Sequence, residues 1–271
     1  MQYFEYGFFT QALIAVVLLS ICSAVIGTYI ITRRLVAISG GITHACFGGL
    51  GLGYFLGVSP VAMAAVFAIG SSIGVEVLSR RFSLREDSAI AVVWALGMAL
   101  GTLFVFMTPG YVPELNAFLF GNILTVSSSD LYAFGIFAVV LLLFFGWKQR
   151  SIMSVAFDRD FAVVSGLPVR FISYTMTVMV AICIVLTIRL VGIMLLMSMM
   201  SLPMIAAEVY FHRYTPIMIV SALISLVSSI AGLFLSTIFD VPCSAIIVLI
   251  LAGVFILTKI SALLIKALRK H

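Results

Sequence analysis

The chain has 271 residues, of which 63 % are hydrophobic and 9 % charged, with a mean hydropathy of +1.29. A soluble domain needs a charged shell that this composition cannot supply, so the sequence is that of an integral membrane protein. The net charge of +5 is spread between apolar runs rather than gathered in a patch, which excludes a nucleic-acid role and makes it a topology signal.

The opening MQYFEYGFFT is acidic and lacks a positive n-region, so no cleaved signal peptide is expected. At about twenty apolar residues per span, nine helices are predicted, near 8–31, 38–57, 60–79, 88–107, 130–147, 171–188, 191–210, 215–236 and 243–264. Alternating strand patterns are absent, and the fold class is all-α: one polytopic transmembrane domain over 1–271. Ser59-Pro60 and Val241-Pro242 mark favourable starts for the third and ninth helices.

The second helix carries ISGGITHACFGGLGLGYFLG, with seven glycines and one histidine. Gly40, His44, Gly48 and Gly51 share a helical face. Gly49, Gly53 and Gly57 repeat the small-xxx-small spacing of close helix crossings. An ionisable group at membrane depth is costly and marks a functional site by default. Imidazole also suits zinc, iron and nickel, and manganese when carboxylates assist. Ser39 and Thr43 are the nearest candidate hydrogen-bond partners for the second ring nitrogen. Cys46 points away from His44 on a regular helix and reads as a packing residue.

The cations fix an orientation. Arg33, Arg34, Arg80, Arg81, Arg85, Lys148, Arg150, Arg159, Arg170, Arg213, Lys259, Lys266, Arg269 and Lys270 fall on one side, and Arg189 alone on the other. Positive loops lie inside, so the N-terminus is expected outside and the C-terminus in the cytoplasm. Glu5, Glu114, Asp130 and Asp240 then fall outside. Glu76 precedes Arg80 by four residues, a spacing for an interfacial ion pair, and Glu208 snorkels near the same surface.

Two segments are too polar to span. The outer one, 108–130, is expected to hold a short or re-entrant helix around FLFGNILTVSSSDL. The inner one, 149–170, contains DFAVVSGL, with Asp158 and Asp160 suited to a helix start and Gly166 and Pro168 to its end. Such an amphipathic cytoplasmic helix is a docking element for a soluble partner. In the seventh span, Met194, Met197 and Met204 read as core packing, while Pro203 frees a carbonyl and permits a kink near a translocation path.

No GxxxxGK[ST], HExxH, GxSxG or paired intramembrane carboxylates occur, and Cys22, Cys46, Cys183 and Cys243 lie singly in apolar runs. Nucleotide binding through a P-loop, hydrolase chemistry, a disulfide framework and a zinc knuckle are thereby disfavoured.

Five segments together resemble the integral-membrane permeases of ABC importers for zinc, manganese and iron, the ABC-3 family. They are RRLVAISGGITHACFGGLGLGYFLG, SRRFSLREDSAIAVVWALGMALG, FLFGNILTVSSSDL, FDRDFAVVSGLPV, and RLVGIMLLMSMMSLPMIAA with FDVPCSAIIVLI. The resemblance implies a multi-pass permease of the bacterial cytoplasmic membrane, working as a homodimer with separate ATPase subunits and an extracytoplasmic metal-binding protein. It implies that the chain itself is not an enzyme and that the divalent metal is substrate, with no cofactor held permanently. It also implies that His44 is the transient pathway ligand, with Gly40, Thr43, Gly48 and Pro203 as pathway-lining candidates. The segment around 155–170 would be the coupling element, through Asp158, Phe161, Val164, Gly166, Leu167 and Pro168.

The sequence departs from the family pattern at Gly40, where an aspartate usually completes an Asp-xxx-His pair, and at Asn122, where an aspartate is also usual. Thr43 stands where a serine is common. Without the carboxylate, zinc or iron is expected over manganese, or a second copy's His44 completes the ligand set. A second reading is a permease for a metal chelate such as a siderophore or corrinoid. From other classes come a membrane-embedded metalloenzyme built on His44, for which the spans hold no second histidine, and an ATP-independent carrier, for which paired midplane charges are lacking.

Overall fold

The computed structural model describes residues 7–109, 121, 123 and 126–268. Those residues form ten helices and no strand: α1 (Gly7–Thr32), α2 (Val36–Leu56), α3 (Pro60–Arg81), α4 (Glu86–Met107), α5 (Ser128–Phe157), α6 (Arg159–Val164), α7 (Val169–Met199), α8 (Leu202–Glu208), α9 (Tyr214–Phe239) and α10 (Cys243–Leu268). The centre of the predicted outer segment, together with Glu5, Glu114, Asn122, Arg269, Lys270 and His271, lies outside the described residues.

Eight described helical stretches are long and apolar enough to cross a bilayer. The predicted spans 171–188 and 191–210 form one 40-residue stretch, Val169–Glu208. It is interrupted at Gly192 and by a turn at residues 200 and 201. Gly192 adopts φ 78° and ψ 175°, a combination open essentially to glycine alone. Counting that break as a boundary gives the ninth segment. α5 continues to Phe157, about three turns past its predicted end. A helix has no reason to stop at the membrane surface when Lys148, Gln149 and Arg150 are themselves good helix formers.

The chain divides into two compact units. One gathers α1, the first part of α5 up to Val139, and everything from Arg189 onward. Within it, Met204 and the Met200 carbonyl close against Gly27 of α1, and Ile247 of α10 packs onto Gly232 of α9. Ala24, Met204, Ala207 and Ile217 form one of its buried clusters, so the methionines of α7 and α8 that turn inward serve as packing. Gly121 meets the backbone of Val191 and Gly192 at the break in α7.

The other unit holds α2, α3, α4, the rest of α5, α6 and α7 up to Ile188. α2 is clamped between α3 and α4 at backbone distance. A Cβ at Gly53 would lie 2.5 Å from the Pro60 Cα, and one at Gly49 would overlap the Met63 carbonyl. On the α4 side, a Cβ at Gly51 would stand 2.5 Å from the Gly101 carbonyl oxygen and one at Gly48 2.9 Å from that of Gly97. The Gly49/Gly53 spacing therefore serves a helix crossing inside one chain, whereas Gly57 is the left-handed C-cap of α2, with nothing within 4 Å of its would-be Cβ.

Candidate functional site

His44 is the ninth residue of the 21-residue α2, near mid-span. Its neighbours Thr43, Ala45 and Cys46 are buried, while the imidazole is half-buried. Thr43 Oγ1 donates to the Ser39 carbonyl at 2.5 Å and Ser39 Oγ to the Val36 carbonyl at 2.9 Å, so both hydroxyl protons are committed to the helix backbone. The ring stacks on Trp94 of α4, with centroids 4.6 Å apart and planes 5° from parallel.

The other residues expected to line a pathway are Gly40 and Gly48, both buried in α2, and Pro203. Gly48 faces the Gly97 carbonyl and the Phe67 ring. Pro203 is buried in the first turn of α8, beyond the N-cap Ser201. The break it was expected to cause is the turn that precedes it. His44 and Gly40 belong to one unit and Pro203 to the other. Among the described residues, no three His, Cys, Asp or Glu side chains converge to hold a metal ion.

α6 is built as its sequence dictates. The Asp158 carboxylate accepts from the Phe161 amide at 2.9 Å, an N-cap. At the other end Leu167 N–H donates to the Ala162 carbonyl and Gly166 N–H to that of Val163, the paired bonds of a Schellman stop with Gly166 at φ +72°. Ala162 is fully buried, whereas Phe161, Val163 and Val164 are exposed, Val164 by 88 %. The six-residue helix thus leaves three apolar side chains open on its surface. Pro168 is exposed and Leu167 half-buried just before α7.

Beside α6 lies a charge cluster that sequence reasoning found only in part. Glu76 pairs with Arg80 as its spacing predicts, but Glu76 is only 4 % exposed and also faces Arg33 at 3.9 Å. Arg33 in turn donates to Glu86 at 2.5 Å, and the Arg80 guanidinium lies 5.1 Å from the Tyr174 ring centroid. Burial and the Arg80 charge push the Arg159 guanidinium at the start of α6 below the ordinary arginine value, while Glu76 pulls it back. The missed signal was available: Arg33, Arg80 and Glu86 all flank turns assigned to the same membrane side.

In the other unit, Arg189 pairs with Asp130 at 2.9 Å. Asp130 also receives Ser127 Oγ at 2.7 Å, and its amide donates back to that hydroxyl at 3.2 Å, a reciprocal cap at the start of α5. The one cation outside the positive-inside pattern is thus neutralised by an acid assigned to its own side.

The family model of the ABC 3 transport family matches residues 5–262. The chain belongs to that family. As an ABC 3 protein it is similar to the manganese transport system membrane protein MntC of Halalkalibacterium halodurans, at 30 % identity over 94 % of this chain and 88 % of the relative. It is similar at 34 % identity, over 86 % and 81 % of the two chains, to a probable metal transport system membrane protein of Chlamydia pneumoniae. Among solved structures it resembles PsaBC from Streptococcus pneumoniae in complex with Fab. That match has a TM-score of 0.80 and 26 % identity over 94 % of this chain and 91 % of the other. A metal-chelate type ABC transporter in an inward-facing conformation shares the fold at 17 % identity and a TM-score of 0.71. This ABC 3 chain is accordingly a multi-pass, all-helical membrane protein.

Proposed function

We propose that the chain is the permease subunit of an ATP-driven importer of divalent transition metal ions in the bacterial cytoplasmic membrane. In this reading 1–271 is one permease domain working as a homodimer. A separate ATPase subunit docks on α6, and an extracytoplasmic metal-binding protein delivers the ion. The carrying observation is a half-buried imidazole near mid-span of α2, where a histidine without function would be costly. Family membership and the transport systems named for its relatives support it.

His44 holds the passing ion through one ring nitrogen. With Gly40 in place of a carboxylate the site is short of ligands, and a second copy's His44 adds to it. Weak coordination suits a pathway, since a tightly held ion would not leave. The missing hard oxygen favours zinc or iron over manganese. The exposed apolar face of α6, rigidly capped at both ends, transmits ATPase movement into the unit that carries His44. Deleting the chain from its native cell should lower cellular zinc or iron, read by elemental analysis after growth in limiting metal. Unchanged zinc, iron and manganese contents would refute the proposal.

A further inference from the structure

We propose that Trp94 is a specificity-determining partner of His44, an inference that rests on the transport reading above. The two rings are stacked face to face, 4.6 Å between centroids and 5° from parallel. The α2–α4 seam enforces this pairing. Ala45, the residue after His44, lies against the Gly97 backbone, and Gly97 follows Trp94 by one helical turn on the same side of α4. The crossing that seats Gly97 on Ala45 also seats the indole on the adjacent imidazole.

Stacking occupies a face of the imidazole and leaves its two nitrogens at the ring edge, where a metal binds in plane. It also restrains ring rotation, so the edge is held in one direction. A divalent ion at one nitrogen draws electron density out of the imidazole. An electron-rich indole stabilises an electron-poor ring as it does a cation, so Trp94 favours the metal-loaded histidine over the free one. Indole offers no lone pair for coordination. Its help therefore goes only to ions that bind imidazole well, such as zinc. Manganese, which draws on oxygen ligands, gains little. Among the described residues no acidic group completes a cluster at His44, so the aromatic face takes over charge stabilisation that a carboxylate would otherwise give.

The chain has two tryptophans, and the second, Trp147 of α5, is 76 % exposed. In the purified full-length chain carrying Trp147→Phe, which leaves Trp94 as its one tryptophan, titration with zinc chloride should change the emission of Trp94, and adding His44→Ala should abolish the response. Trp94→Leu should raise the half-saturating zinc concentration for uptake about tenfold and narrow the preference for zinc over manganese. Trp94→Phe, which keeps a stacking ring, should restore most of both. A Trp94→Leu transporter with wild-type half-saturation and preference overturns the inference, as does a wild type that prefers manganese. Should Trp94→Leu fail to assemble, the emission titration decides: zinc-insensitive Trp94 emission in a zinc-transporting protein also overturns it. Cells whose zinc, iron and manganese contents do not change when the chain is deleted would instead sink the transport reading itself, so the two failures are separable.

Discussion

Gly40 stands one turn before His44, and the proposed metal preference rests at the residue scale on the absence of a carboxylate there. Gly40→Asp should add a hard oxygen ligand and a negative charge. We expect manganese uptake by that variant to rise relative to zinc when both isotopes compete in one assay. An unchanged ratio would mean that residue 40 does not reach the passing ion. Glu76 makes a second test. It is buried between Arg33 and Arg80, so Glu76→Gln leaves two guanidinium groups enclosed with one fewer counter-charge, at a cost of about 3–5 kcal/mol. Thermal unfolding in detergent should register the loss. Glu86→Gln, at a more open position, should cost less. His44 and the Glu76–Arg80 pair were legible in the sequence because charge in an apolar run stands out. Trp94 was not, since an aromatic residue in a membrane helix gives no sign of what it touches until the helix crossing is known.

At the scale of elements, glycine spacing announced that α2 packs closely but not against what. The partners are α3 and α4 of the same chain, through Pro60, Met63, Gly97 and Gly101. Gly53→Leu should drive a side chain into the Pro60 backbone and destabilise the fold by about 1–3 kcal/mol or more. Proteolysis in detergent should then be faster than for wild type, and equal resistance would place the residue outside the crossing. α6 was legible almost to the residue because its signals are local: an acidic N-cap, a short apolar run and a glycine stop. Its neighbour α5 was not, since its apolar pattern ends at the membrane while the helix runs on to Phe157. Asp158→Ala should weaken the α6 cap by about 1 kcal/mol and lower co-purification of the ATPase subunit. Val164→Glu, at an exposed position, should lower co-purification without lowering thermal stability.

Across the whole molecule, hydropathy sufficed to recover the fold class and nearly every span, because only helices or closed barrels satisfy the backbone in lipid. The break at Gly192 falls beside the predicted boundary at 188–191, which Arg189 marks, but the sequence does not say that two spans run on as one helical stretch, Val169–Glu208, turned at a single φ/ψ pair. The orientation expected from the charge asymmetry can be checked separately. A cysteine placed at Val164, with Cys22, Cys46, Cys183 and Cys243 left buried, should react with impermeant thiol reagents only after the membrane is opened. The central claim is that His44 carries the metal through the membrane, and zinc accumulation by vesicles containing the complete importer measures it most directly. ATP-dependent accumulation is expected for wild type, with a loss of at least about tenfold in His44→Ala while assembly and ATPase docking stay intact. Accumulation at the wild-type rate by His44→Ala would contradict it.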